Sequence, residues 1–282
     1  YNVQVNVWDE AWNTDYCNVT LSVRVGTGST ISGTVAIEGG QGVSEVTVIV
    51  EANVPEYPKS VLTDQNGLYT FDVLTGNDYI VRAQKDGDYL NGVSTLDMVQ
   101  IQRHILGIQL FDSNYKLLAA DVNNDGKVTA SDLTELRKLI LGITPVLPKN
   151  TSWRFPVAGV AVNATPISCV EKIEINNLAT AMEDQDFVAV KIGDVNGSVS
   201  KNVNTPNVEA RSKANVEMRV DEATIEQGDV VEIPVTSDNF YEVMGFQFTM
   251  NLNDATFVGI QRGVLDVSAS NIGIISNNVI TM

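Results

Sequence analysis

The sequence predicts a mainly β protein with one small helical module in its middle. Short segments alternate apolar and polar residues with period two, as in residues 31–37, 69–73 and 246–252. The composition is rich in Val, Thr, Asn and Gly, which is typical of β-sandwiches with many turns. Two stretches, 98–108 and 133–143, instead carry apolar residues at helical spacing. We therefore expect several β-sandwich modules of immunoglobulin-like type around a helical pair.

The twelve residues before the second helical stretch have the oxygen spacing of a calcium loop. Gly126 stands at loop position six, where the backbone turns sharply around the ion. Three carboxylates this close repel one another unless a cation lies between them, so we expect the loop to need metal for order. The candidate ligands at positions one, three, five, seven and twelve are Asp121, Asn123, Asp125, the carbonyl of Lys127, and Asp132.

A second stretch, residues 86–97, aligns in register with this loop and precedes the first helical stretch. Leu90 stands where the loop at 121–132 has a carboxylate, and Asn91 stands where it has glycine. Two readings follow: a calcium loop that uses backbone or amide oxygens, or an acidic turn without metal. On the first reading the ligands are Asp86, Asp88, the carbonyls of Leu90 and Gly92, and Asp97.

A calcium loop followed by one helix, with Asp as the last ligand and present twice, resembles the dockerin family of type I. The resemblance implies a module at residues 85–145 that binds two Ca²⁺ ions and docks onto cohesin domains. Leu96 suits such a contact if exposed, although it also suits the module's own core. The resemblance places the partner contact at loop positions ten and eleven, which are Thr95, Leu96, Ala130 and Ser131.

The remaining chain divides into β segments on either side of this module. The succession Ile31-Ser-Gly33-Thr-Val35, Asn66-Gly67 and Tyr79 resembles carboxypeptidase-regulatory-like sandwiches, and strands after Ile225 resemble the first half of a cohesin-like sandwich. The predicted domains are 1–27, the terminal strands of an immunoglobulin-like repeat; 28–84, the first sandwich; 85–145, the dockerin-like module; 146–198, a β extension packing on that module; 199–213, a linker; and 214–282, the partial cohesin-like sandwich.

The extension contains Gly193-Asp194-Val-Asn196-Gly197, which repeats the start of the calcium loop, Asp121-Val-Asn123. It is either a polar turn or a segment that folds back onto the module. Because residues 86–97 lack the carboxylate at Leu90, we hypothesise that Asp194 and Asn196 complete that metal site.

Composition and missing motifs exclude several functions. The formal net charge is −17, from 35 acidic and 18 basic residues, which argues against nucleic acid and anionic membranes as partners. No apolar run is long enough to span a bilayer. One histidine and two distant cysteines form no zinc spacing, and there is no phosphate loop, so we expect no enzyme in this segment. Glycan acceptor patterns stand at Asn18, Asn150, Asn163 and Asn196.

These observations favour an extracellular or cell-surface structural protein stabilised by calcium. Weak loops of this kind need about millimolar calcium, which is found outside the cytoplasm. Head-to-tail dockerin and cohesin-like contacts between copies, or strand addition between copies, would build a filament. The alternative is the non-catalytic part of a large secreted enzyme acting on polysaccharide or protein. Cys17 and Cys169 either pair or remain free thiols.

Overall fold

The structure, a computed structural model, describes residues 2–8, 10–11, 14–20, 27–200, 216–222, 226–241, 243, 245–276 and 278–282. It describes only the backbone of the first two strands, and the predicted linker 199–213 lies outside the described residues after residue 200. The helices are α1 (Thr95–Ile105), α2 (Asn114–Ala120) and α3 (Ala130–Ile140), with a short 3₁₀ helix at Ala269–Asn271. The strands are β1 (Asn2–Trp8), β2 (Thr14–Thr20), β3 (Gly28–Ala36), β4 (Thr47–Glu51), β5 (Lys59–Leu62), β6 (Leu68–Leu74), β7 (Tyr79–Gln84), β8 (Trp153–Arg154), β9 (Asn163–Ala164), β10 (Ile167–Ser168), β11 (Ile173–Ile175), β12 (Phe187–Val188), β13 (Val190–Lys191), β14 (Arg219–Val220), β15 (Val235–Thr236), β16 (Thr249–Asn251), β17 (Gly273–Ser276) and β18 (Val279–Thr281).

The predicted mainly β architecture with a small helical module is confirmed. Strands β1 and β2 form an antiparallel hairpin at the start of the chain. Within the described residues, no helix is long and apolar enough to cross a membrane.

Two sheets form a sandwich around the first core. One has the order β11-β7-β4-β5, and the other has the order β12-β3-β6. Strand β6 alternates exposed and buried side chains along its whole length, as its sequence predicts, so one face packs inward. The buried residues of both sheets form one cluster, which includes Ile31, Val48, Phe71, Tyr79 and Val81.

The turn at Asp64–Gly67 differs from the predicted hairpin. Gly67 has φ +77°, and its amide donates to the carbonyl of Asp64, so a tight turn is present. However, β5 before the turn pairs with β4, whereas β6 after it pairs with β3. The turn therefore carries the chain from one sheet to the other. The sequence specifies a reversal here but not which neighbour each strand selects.

The helical module has its own core, separate from that of the sandwich. Ser94 and Thr129 begin α1 and α3 with the same capping box, in which the side chain of the third helical residue, Asp97 or Asp132, accepts the cap's amide. Its central buried residues include Ile101, Leu118, Leu136, Leu139 and Ile192.

Helix α2 was not predicted, because the stretch before Asp121 is short and follows a polar segment. It forms nonetheless: the hydroxyl of Ser113 accepts the Tyr115 amide and caps it, and Leu118 is buried in the module core. His104, in the last turn of α1, accepts the Phe111 amide on Nδ1 at 3.1 Å. Burial lowers the pKa of His104, so the neutral ring, stacked on Phe111, is favoured.

The extension 146–198 joins the two cores, because its residues enter both. Strand β11 adds to β7 in one sheet of the sandwich, and β12 adds in parallel to β3 in the other. Trp153 and Phe187 are buried in the sandwich core, whereas Val190 and Ile192 are buried in the helical core. Cys169 in this extension is a free thiol.

The C-terminal residues form small separate sheets, β14-β15 and β16-β18-β17. Among the strands expected after Ile225, the alternating residues 230–234 form none, and β15 begins only at Val235. Val230 is 77% exposed, so its alternating pattern finds no core to enter among the described residues. The segment before β16 contacts the helical module, where the Gln247 side chain donates to the carbonyl of Ile140 at 3.1 Å.

Candidate metal centre

The start of the loop 121–132 is shaped by side-chain oxygens that accept backbone amides. The two carboxylate oxygens of Asp121 accept the amides of Asp125 at 3.0 Å and Gly126 at 2.9 Å. The side-chain oxygen of Asn123 accepts the same Asp125 amide at 3.0 Å. Gly126 has φ +83°, which suits glycine at the sharpest point of the turn. Positions one, three and six therefore produce the local bend that their residue types predict.

The end of the loop is closed by Asp132. One of its oxygens accepts the Asn123 amide at 3.0 Å, and the other accepts the Thr129 amide at 2.8 Å. One carboxylate thus caps α3 and also ties the helix back to loop position three. The structure brings the predicted residues Asp121, Asn123 and Asp132 together in this way. Lys127, whose carbonyl is the predicted metal ligand, donates its amide hydrogen to the Asp125 side chain at 3.0 Å.

The loop concentrates negative charge with little solvent access. Asp121 and Asp132 are 2% and 0% exposed. Burial raises the pKa of both carboxyls, and the charge of Asp125 raises each further. No salt bridge within the described part of the chain reaches these three carboxylates. The described residues also contain no group of three or more His, Cys, Asp or Glu side chains placed so that it could hold a metal ion by itself.

The extension clamps this loop from outside through Arg154. Its guanidinium makes two bonds to Glu171, at 2.8 and 2.7 Å, and donates to the side chain of Asn124 at 2.8 Å. The Asn150 amide group donates to the carbonyl of Asp121 at 3.0 Å. Sequence reasoning missed both contacts, since nothing in the local pattern connects positions 124 and 154.

Within the stretch 86–97, the first residues point away from the last. The two oxygens of Asp86 accept the Ser152 amide at 2.8 Å and the Tyr89 hydroxyl at 3.1 Å. Burial opposes ionisation of Asp86, but these hydrogen bonds outweigh it and lower its pKa. Leu90 is 51% exposed. The structure thus does not join Asp86, Asp88 and Leu90 to Asp97 through any described hydrogen bond.

Asp97 instead meets the turn at 194–199. One of its oxygens accepts the amides of Val195 at 2.9 Å and Asn196 at 3.2 Å. The other accepts the Ser94 amide at 2.9 Å, which is the cap of α1. Burial, together with the charge of Asp194, raises the pKa of Asp97 to about 7. The echo of the calcium loop found in the sequence therefore lies beside the last ligand position of the first repeat.

The turn after Asp194 repeats three hydrogen bonds of the turn after Asp121, and the amides of Asn196 at 3.2 Å and Gly197 at 2.7 Å donate to Asp194 in addition. One Asp194 oxygen accepts the Ser198 amide at 3.2 Å, and the other accepts the Val199 amide at 2.8 Å. The side-chain oxygen of Asn196 accepts the Ser198 amide at 2.8 Å. These are the contacts that Asp121 and Asn123 make four, five and two residues further on in the loop 121–132.

The turn continues onto the chain before α1. The Ser198 hydroxyl donates to the carbonyl of Gly92 at 3.0 Å, and Asn91 exchanges two hydrogen bonds of 2.9 Å with the backbone of Ser200. A Cβ on Gly92 would lie 2.5 Å from the Cα of Val199. The sequence offered one signal for Ser198: it follows Asp194 at the spacing by which Asp125 follows Asp121.

A buried ammonium, that of Lys191, lies beside this region. Lys191 is 3% exposed, donates to the carbonyl of Tyr89 at 3.0 Å and faces the Tyr89 and Trp153 rings. Burial lowers its pKa to about 8, although the charges of Asp88 and Asp194 act in the opposite direction.

The predicted partner residues differ in accessibility. Leu96 is 41% exposed, so it is not buried in the module's own core. Ala130 and Ser131 are exposed as well. Thr95 is half-buried, and a Cβ built on Gly245 of the C-terminal segment would lie 3.9 Å from it.

Comparison with known proteins identifies the helical module. A family model described as the dockerin type I domain matches residues 88–141. It does not extend to residues 28–84 or 214–282, so the two sandwich resemblances remain predictions. No curated protein matches this chain.

Among solved structures, a DUF3823 family protein from Parabacteroides merdae aligns with 59% of this chain and 48% of its own, at 11% identity and a TM-score of 0.25. A score this low carries no argument about the fold. The matched segment, residues 88–141, contains α1, α2, α3 and the whole loop 121–132, and is thus similar to the dockerin type I domain, a non-catalytic, calcium-associated module that binds cohesin domains.

Proposed function

We propose that this protein is an extracellular, calcium-stabilised assembly protein whose helical module docks onto a cohesin-type partner. The observation that carries the proposal is the dockerin match over residues 88–141, where α1 and α3 begin with the same capping box. The net charge of −17 is also consistent with a protein that binds cations.

The loop 121–132 fits calcium by the chemistry of its donors. Every group is an oxygen, as a hard cation requires, and the set mixes carboxylates with an amide and a backbone carbonyl. No described salt bridge pairs the buried carboxylates of Asp121 and Asp132, although the Arg154 charge interacts with Asp121, and a bound cation would compensate the negative charge that remains. The ion would be held by Asp121, Asn123, Asp125, the carbonyl of Lys127, and Asp132. When bound, it supplies charge neutralisation that locks the start of α3 against the loop.

The docking face is the surface of the two helix starts. Leu96 of the first repeat and Ser131 of the second stand at the same loop position, eleven, and both are exposed. Ala130, at position ten of the second repeat, is exposed as well, whereas its counterpart Thr95 is half-buried. The exposed leucine suits an apolar contact with a partner surface. If the partner is a further copy of this chain, the contact is head-to-tail and builds a filament.

Calcium titration by calorimetry together with thermal melts tests the metal part. The variant Asp121→Ala should bind fewer ions than the wild type and should lose most of the calcium-dependent rise in Tm. Asp72→Ala is the matched control, because Asp72 is an exposed carboxylate on β6. A wild-type chain that binds no calcium, or an equal loss in both variants, would contradict the proposal.

Binding to a panel of type I cohesin domains, with calcium and with EGTA, tests the docking part. We expect calcium-dependent binding that Leu96→Arg and Ser131→Arg weaken at least about tenfold, because each places a bulky charge in the contact. Leu68→Arg is the control, since Leu68 is a similarly exposed leucine on β6. Equal binding by all variants would exclude this face.

Sedimentation of the chain alone, with calcium and with EGTA, tests the filament. Calcium-dependent growth of large species supports contacts between copies. A monomer under both conditions, combined with cohesin binding, would favour the non-catalytic part of a larger secreted enzyme instead.

A further inference from the structure

The structure contains a second oxygen cluster that is not continuous in sequence. We infer that the first calcium ion of the module is held by a composite site, built from the turn at 194–199 and the segment 92–97. Asp194, Asn196 and Ser198 supply loop positions one, three and five, and the Gly92 carbonyl and Asp97 supply positions seven and twelve. This inference rests on the proposed function, because it concerns where the calcium of the dockerin-like module binds.

The composite site corresponds to the loop 121–132 in both of its halves. The Asp194 turn repeats the Asp121 turn in three bonds, which run from the amides at positions five and six. The position-twelve carboxylate closes both sites alike: Asp97 accepts the Asn196 amide, as Asp132 accepts the Asn123 amide. A polar turn without a ligand role has no reason to copy both contacts on an element this distant in sequence.

The segments 92–97 and 194–199 approach each other closely at position seven. Gly92 has φ +75°, and a Cβ on it would collide with the backbone of Val199. Only glycine allows residues 198–200 to lie directly against this carbonyl. The carbonyl of Gly92 already receives the Ser198 hydroxyl at 3.0 Å, so two of the inferred donors are in contact.

The oxygen ligands of the composite site and their negative charge suit a calcium ion. The five groups are oxygens of carboxylate, amide, hydroxyl and backbone carbonyl, which is the ligand chemistry of calcium. Asp97 and Asp194 are 0% and 7% exposed, and no salt bridge in the described part of the chain involves either. No salt bridge pairs these two buried carboxylates, although the buried Lys191 ammonium interacts with Asp194, and a divalent ion would neutralise the negative charge that remains.

The side chains of the continuous stretch 86–91 are used for other contacts. The oxygens of Asp86 are bonded to Ser152 and Tyr89, and Leu90 is 51% exposed. Residues 86–91 thus lead from β7 into the module without forming the first half of a loop.

A composite site changes what calcium does in the molecule. The ion would join Asp97 at the start of α1 to a turn about 98 positions later in the chain, so it fastens the extension to the helix. Val195 is buried in the helical core and Val199 in the sandwich core. Calcium would therefore hold the dockerin-like module rigidly against the sandwich as well as ordering its own loop.

Two gain-of-function variants distinguish the composite site from the continuous one. Ser198→Asp adds a carboxylate at position five of the composite site, and Leu90→Asp adds one at position five of the continuous stretch. Calcium affinity of the weaker ion should rise at least about fivefold in Ser198→Asp, because ligand charge sets affinity in such loops. Leu90→Asp should leave it unchanged. A rise in Leu90→Asp alone, or in neither variant, overturns the inference.

Stoichiometry separates this inference from the proposed function. Calorimetry on the full chain should give two ions for the wild type and for Asp86→Asn, and one for Asp194→Asn and for Asp121→Ala. No binding by the wild type defeats the proposed function itself. Two ions in Asp194→Asn defeats only the composite site.

Hydrogen exchange gives a readout independent of affinity, and it covers the case in which Asp194→Asn fails to fold. In Asp121→Ala, calcium should slow exchange in peptides spanning 92–97 and 194–199 with one common midpoint. Protection of 86–97 without 194–199 would overturn the inference.

Discussion

The two turns that begin with Asp121 and Asp194 share three hydrogen bonds but are joined to their helices differently. The first runs directly into α3 after a loop of a few residues, whereas the second reaches α1 only through the folded sandwich. Closing a short loop costs little chain entropy, so local sequence suffices for the first turn. The second turn depends on β12 and β13 being in place, because they deliver Asp194 to α1.

The comparison teaches that one ligand geometry can be reached by local or by tertiary means. The loop 121–132 takes up its ligand geometry from its own sequence and does not require the sandwich. The turn at 194–199 reaches α1 only when the sandwich is folded, so here the helical module and the sandwich depend on each other. The extension shows this dependence, since it contributes buried residues to both cores.

The largest difference between the two sites is expected at their glycines. Gly92→Ala forces a Cβ to within 2.5 Å of the Val199 Cα, whereas in Gly126→Ala the Cβ meets the Pro166 side chain at 3.2 Å. Both residues have positive φ, so that strain is shared. We expect Gly92→Ala to lower the free energy of unfolding by about 2–4 kcal/mol, and Gly126→Ala by about 1 kcal/mol. Urea denaturation in saturating calcium measures both, and an equal loss would mean that the segments separate freely.

The clamp on the continuous loop gives the next largest effect. Arg154→Lys keeps the charge but loses the paired bonds to Glu171 and the bond to Asn124. We expect about 2 kcal/mol of destabilisation, because the pair is only partly buried. Calcium affinity should fall at the loop 121–132 and not at the composite site, as calorimetry would show in the Asp194→Asn background, which keeps only the loop ion, and in the Asp121→Ala background, which keeps only the composite ion. Weakening of both ions would contradict this separation.

The buried ammonium of Lys191, beside the composite site, is expected to make the free energy of unfolding depend on pH. Its pKa of about 8 in the folded state lies below the ordinary 10.5, so the unfolded chain binds more protons between these values. Stability should therefore rise with pH above about 8, by at most about 1.4 kcal/mol per pH unit. Lys191→Met should remove this rise. Denaturation of both proteins from pH 7 to 9.5 at fixed calcium measures it, and parallel curves would show that Lys191 does not titrate there.

The smallest and most nearly equal effect is expected at the caps. Ser94→Ala and Thr129→Ala each remove a hydroxyl that accepts an amide in the first turn of its helix. Each should cost about 1 kcal/mol, since the carboxylate part of each capping box remains. Thermal melts should show similar shifts. A much larger loss in Ser94→Ala would indicate that the composite site relies on its cap more than the continuous loop does.

How far the sequence predicts this molecule depends on the range of the interaction. Alternation at 31–37 and 69–73 predicted β3 and β6 to within about three residues of their observed bounds, because one face of each strand meets a core. The same alternation at 230–235 failed, since no described core receives that face. Helix α2 was missed because its stability comes from burial of Leu118 against distant residues more than from its own short pattern.

By itself, the sequence determined the residue types and spacing of the loop 121–132, the caps of both helices and the echo at Asp194. These are short-range properties, in which a side-chain oxygen meets an amide two to five residues away. Only the tertiary structure decided that β12 and β13 bring Asp194 to Asp97, while Asp86 turns to Ser152. The physical reason is that such contacts become favourable only after both cores have formed, and no local pattern records which segments those cores bring together.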